Sequence, residues 1–157
     1  MTKTTGTKAS RITGSVIAIV WSIATLIFFN FFPDYIAIYR DGMREPLITA
    51  EFGKWLLIHN PLLILIVIGH SISLAFERYV LRESILIFLS LLGVASTAVL
   101  LSLFPFDFSV IANTDIENWV DLGLRIALIL SIVMFSIDVI NRSIKLLRNS
   151  ARGTKDY

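Results

Sequence analysis

Apolar residues in this chain gather into four long blocks separated by short polar stretches. The first, 12–32, holds no charged residue. A helix rises about 1.5 Å per residue, so about 20 residues cross a hydrocarbon layer of about 30 Å. The second block, 61–76, and the third, 84–104, are likewise free of Asp, Glu, Lys and Arg. The fourth, about 122–141, carries only Arg125 and Asp138, and a basic tail follows it. Uninterrupted blocks of this length do not fit amphipathic helices of a soluble domain, which alternate polar and apolar faces.

The ends of the blocks are punctuated. Pro33 and Asp34 stop the first, and Pro105 stops the third. Asn60 before Pro61 reads as an N-cap followed by a proline at the first helical position. Residues 49–58 upstream form an amphipathic stretch, expected either to lie at the interface or to run into the span through Pro61. Glu77, Arg78, Arg82 and Glu83 make a tight charged connection, so the second and third helices should be antiparallel neighbours. These signals predict spans near 12–32, 61–79, 84–104 and 120–142, in one membrane domain covering 1–157. The expected fold class is an all-α integral membrane protein, a four-transmembrane-helix up-down bundle. Lys3, Lys8 and Arg11 precede the first block as in a signal peptide. Phe28, Phe29, Asn30, Phe31 and Phe32 offer no small-residue cleavage site, so an uncleaved first span is expected.

Composition agrees with the pattern: 55% of residues are hydrophobic and 17% charged, where soluble domains carry about 25% charged residues. The net charge of +2 gives no reason to expect a nucleic-acid partner. Without cysteine there is no disulfide or thiolate metal site. Lys and Arg are unevenly shared: ten fall on the side of the two termini and the second connection, three on the other. Both termini are therefore expected in the cytoplasm, across a plasma membrane. Phe28, Phe29, Phe52, Trp55, Phe104, Phe106 and Trp119 then cluster at the outer face, as an aromatic belt would. Phe31-Phe32-Pro33-Asp34-Tyr35 and Phe104-Pro105-Phe106-Asp107-Phe108 echo each other, which either reflects two related hairpins or ordinary helix-end residues.

Recognisable chemistry is sparse. His59 and His70 lie eleven positions apart and cannot clamp one haem iron, and no Glu-x-x-His pair suits a dinuclear site. The motifs GxSxG and HExxH, a phosphate loop and a GxxxG pair within a span are missing. The carboxylates of the outer loops match no calcium loop, so neither a metal nor a cofactor is expected. Polar groups at membrane depth remain, where they are costly. His70, Ser22, Ser96, Thr97 and Ser131 fall at one level by residue count, which suggests an inter-helix hydrogen bond or, more sharply, a proton relay. Asp138 is expected to pair with Arg78 or Arg142, or else to form a proton or cation site. Arg125 with Asp121 or Asp107 suggests a structural clasp or an outer anion site.

The leading expectation is a non-catalytic membrane protein, a subunit, accessory or scaffold that works through helix packing. Its partners would be the lipid bilayer, a protein within it, or copies of itself. A small oligomeric transporter or channel is the alternative, and an intramembrane or lipid-modifying enzyme a further one.

Overall fold

The computed structural model describes residues 3–40, 42–76, 78–111 and 113–151. Four helices, α1 (Lys3–Phe31), α2 (Glu51–Ala75), α3 (Tyr79–Leu103) and α4 (Thr114–Ala151), make up most of them. Each is long and apolar enough to cross a membrane, over Ile12–Phe31, Glu51–Ala75, Tyr79–Leu103 and Thr114–Asn149. Their surfaces are oily: Trp21, Leu57 and Met134 are 74%, 77% and 71% exposed, amid many exposed Ile and Leu. A water-soluble protein would not leave apolar patches this extensive uncovered, whereas hydrocarbon solvates them.

Partners across each helix pair run in opposite directions along the chain. On α1 and α2, Asn30 meets Asn60 and Ser15 meets His70. On α2 and α3, His59 meets Ser96 while Gly69 meets Ile85 and Leu89. On α3 and α4, Phe104 beyond the end of α3 lies against Arg125, Gly93 against Phe135 and Glu83 against Arg142. Consecutive helices are thus antiparallel. They pack as α1 on α2, α2 on α3 and α3 on α4, whereas among the described residues α1 and α4 make no comparable contact. The assembly is an open row rather than a closed bundle.

The helices end at other residues than the apolar blocks do. Helix α2 begins at Glu51, so Asn60-Pro61 is not a helix start; Pro61 lies inside the helix. Of the two arrangements open to 49–58, the chain takes the continuous one. The reason is packing: Phe52 and Trp55 are 4% exposed, and with Phe29 and His59 they form a ring cluster at 4.1–6.0 Å centroid spacing. Burying two large rings in this way offsets the roughly 3 kcal/mol cost of an interior proline. These rings therefore serve as core and not as part of an interfacial belt. At its other end α2 stops at Ala75 instead of 79, and α3 starts at Tyr79 instead of 84. Arg82 and Glu83 consequently stand on a helix, not in the connection. Helix α4 also reaches well past 120–142 at both ends.

The four helices make the chain all-helical, as the apolar blocks predict, and one connection adds a small hairpin. After a 3-10 turn at Pro33–Tyr35, strands β1 (Ala37–Arg40) and β2 (Met43–Pro46) pair as an antiparallel hairpin. Arg40 pairs with Met43, so two positions close it, one of them Gly42 at φ 78°. A left-handed residue there suits glycine, and short hairpin loops demand that conformation. The two connections then join: Thr49 N–H donates to the Pro105 carbonyl at 3.0 Å and Asp107 N–H to that of Leu47 at 2.9 Å. Among the described residues the hairpin has no counterpart between α3 and α4. Trp55 is buried while Trp119 is 73% exposed, so the sequence echo does not extend to equivalent structures.

Candidate functional site

Polar side chains collect at the two ends of the row, with an apolar middle between them. At the hairpin end, Asn30 and Asn60 exchange two amide hydrogen bonds, at 2.8 and 3.0 Å. Next to Asn60 in the chain, His59 has its Nδ1 3.0 Å from Ser96 Oγ, and one turn further back the Trp55 indole N–H donates to the Ser96 carbonyl at 3.3 Å. Ser96 is thereby tied to the hairpin end, and Thr97 donates within α3 to the Gly93 carbonyl. Arg125 lies beneath the Phe104 ring, 3.6 Å from its centroid, and its Nε is 2.8 Å from Asp121 Oδ2. Phe104 adopts φ 37°, a left-handed conformation costly for a residue with a Cβ, and this places its ring against α4. Asp107 does not join Arg125. It accepts from the Ser109 hydroxyl at 2.6 Å and the Ser109 N–H at 3.0 Å. Those two bonds, the hydroxyl first, hold its carboxyl below the usual carboxylate range.

The other end, from which the basic tail departs, is built on charge. Glu83 on α3 is only 4% exposed, yet both its oxygens are engaged. Arg82 Nη2 donates to one, and Arg142 Nη1 to the other at 3.0 Å. Arg142 also donates from Nε to Asp138 at 2.7 Å, and Ser90 donates to the same Asp138 oxygen at 2.8 Å. The chain of contacts knits two turns of α3 to two turns of α4. Glu83 and Ser90 are seven residues apart on one face, as are Asp138 and Arg142 at four. An ionised Glu this deeply placed is tolerable only when paired, and here two guanidiniums pair it.

Beside this network a cavity of about 320 Å³ opens, with walls from all four helices. Gly14 and Ser15 of α1, His70 of α2, Tyr79 and Arg82 of α3 and Arg142 of α4 line it. His70 Nδ1 lies 3.2 Å from Ser15 Oγ. His70 is not brought to Ser22, Ser96, Thr97 or Ser131. Its hydroxyl partner is Ser15, toward the tail end of α1. Ser22 is buried nearer mid-helix, and Ser131 donates within α4 to the Ala127 carbonyl.

The sequence conceals Glu83, Arg82 and Ser90 as members of one network, because its charge pattern puts Arg82 and Glu83 in a connection between helices. The available signal was the spacing of Glu83 to Ser90 and of Asp138 to Arg142, two polar stripes on otherwise apolar helices. Among the described residues, no group of three His, Asp or Glu side chains is arranged to hold a metal ion.

Fold and site together define a small multi-pass helical membrane protein with a paired ionic network at one end. No protein-family model, curated protein or solved structure matches the chain.

Proposed function

We infer that this chain is a non-catalytic membrane subunit, with both termini in the cytoplasm of a plasma membrane, and that it works by packing its helices against a partner or another copy. The observation that carries the reading is the open row. Helices α1 and α4 each bury one flank against a neighbour, and neither closes on the other. Their free flanks carry large apolar side chains, Ile17, Val20 and Trp21 on α1 and Met134, Ile140 and Leu147 on α4. A row with two free edges can be extended by further helices without rearranging its interior. The ion pairs support the non-catalytic part: Glu83, Asp138 and Arg142 are each engaged with another side chain, and the two Ser–His contacts, His59 with Ser96 and His70 with Ser15, have no carboxylate joined to the imidazole among the described residues.

The orientation rests on the Lys and Arg bias, which places the tail end of the row on the cytoplasmic side and the β-hairpin outside. Purification in mild detergent followed by native mass spectrometry tests the subunit reading. The expected result is a multiple of 17.6 kDa or a stoichiometric complex with a second membrane protein. A monomer that carries no protein partner, both in detergent and in nanodiscs, would contradict it.

A further inference from the structure

The cavity at the tail end has a chemical character that the subunit reading does not use. We propose that it is a binding site for a phosphate group, reached from the cytoplasmic side through the gap between α1 and α4. The proposal stands apart from the oligomeric state, which is read by a different measurement.

Three observations converge on an anion. First, the charged side chains that line the cavity are guanidiniums, those of Arg82 and Arg142. The carboxylates that neutralise them, Glu83 and Asp138, do not line it. Glu83 sits behind, its side chain 5% exposed. The cavity thus meets the donor side of two ion pairs.

Second, the guanidiniums are under-used. Each has five N–H donors. Arg142 spends Nε on Asp138 and Nη1 on Glu83, and its Nη2 has no partner among the described residues. Arg82 gives Nη2 to Glu83, while its Nε is enclosed with no acceptor. The donors left for a ligand are Nη1 of Arg82 and Nη2 of Arg142, which have no partner among the described residues and belong to side chains that line the cavity. Phosphate oxygens fit the planar fork of donors that arginine presents.

Third, Tyr79 and Arg82 belong to the first turn of the 25-residue α3, whose N-terminus has no side-chain cap. The amides of that turn give the cavity the positive end of a helix dipole, and the Tyr79 hydroxyl adds a neutral donor. The surroundings reinforce the sign: Arg78, Lys145 and Arg148 lie at the same end of the helices. The volume of about 320 Å³ accommodates a phosphate with part of the molecule attached to it. Two sources share this chemistry, the headgroup of an inner-leaflet phospholipid entering sideways and a soluble phosphate compound entering from the cytoplasm.

The test uses the full chain in phosphatidylcholine nanodiscs. In one arm inorganic phosphate is titrated and thermal unfolding followed, with sodium chloride at matched ionic strength as control. In the other, phosphatidic acid is added to the nanodisc lipid, and lipid retention is read by native mass spectrometry. Two variants are compared with the parent, Arg82→Gln and Gly14→Phe. A Cβ at Gly14 meets nothing within 4 Å, so the second variant narrows the cavity from the α1 wall while keeping every member of the ion pairs, and should fold even if the first does not. The expected result is protection in at least one arm, weakened about tenfold or more in both variants, the loss of a charge-assisted contact or of the space itself. Protection by phosphate assigns a soluble ligand; retention of phosphatidic acid alone assigns the lipid. No protection in either arm, equal protection by chloride, or a Gly14→Phe protein that binds as tightly as the parent would overturn the proposal.

Discussion

Arg142 shows how a residue is fixed in this protein. Its stem lies among helices, and its head joins a carboxylate on its own helix, Asp138, to one on the neighbour, Glu83. Removing it would leave Glu83 buried with a single partner, the expensive half of a broken ion pair. Arg125 at the hairpin end is different in degree. Its side chain is 43% exposed, and its contacts are an i,i+4 pair with Asp121 and the face of Phe104. Water and salt weaken the first, while the second retains value at the boundary. Arg125→Leu is therefore expected to lower stability by about 1 kcal/mol, seen as a modest drop in the thermal midpoint in detergent. Phe104→Leu should lose a similar amount, and the double variant less than the sum, because the two changes remove one shared contact. Additive losses would show that Arg125 and Phe104 act independently. The sequence alone disclosed Arg125 with Asp121, since four residues on one helix suffice. It could not disclose Phe104, because that contact depends on a left-handed backbone at the end of another helix.

Among the elements, α2 and α3 are packed tightly at Gly69. A Cβ built there would lie 2.9 Å from Ile85 Cγ2 and 3.0 Å from Leu89 Cδ1. The glycine is needed for proximity, as small residues are at helix interfaces in membranes. Gly69→Ala should destabilise by about 1–3 kcal/mol through overpacking, although alanine is the better helix former. Gly93, whose Cβ would meet only the Phe135 ring at 3.7 Å, should accept alanine with little change. Thermal unfolding of both variants in one detergent measures the contrast, and a Gly69→Ala protein as stable as Gly93→Ala would refute the account of the interface. Helix existence was legible because hydrocarbon imposes length and apolarity on every span. Helix ends were not. Pro61 has the signature of a first helical residue, and only the burial of Phe52 and Trp55 shows why the helix begins ten residues earlier. The β-hairpin had a local signal, an Asp-Gly pair between alternating residues, overshadowed by the apolar blocks on either side.

At the scale of the whole molecule, four antiparallel helices in a row put the hairpin on one side and the basic tail on the other. The network of Glu83, Arg82, Arg142 and Asp138 then sits at the tail end with Arg78, Lys145 and Arg148, the end that the proposed orientation turns toward the cytoplasm. That network was beyond the reach of the sequence because it joins faces of two helices whose rotation no residue count supplies. Both the subunit reading and the phosphate site depend on which side each end occupies. The chain has no cysteine, so single cysteines introduced at Met43 in the exposed hairpin and at Lys155 in the tail report their side without background. In intact cells, a membrane-impermeant maleimide should label Met43→Cys and leave Lys155→Cys untouched until the membrane is opened. Labelling of Lys155→Cys in intact cells, with Met43→Cys protected, would contradict the orientation and with it the account of how this protein meets the cytoplasm.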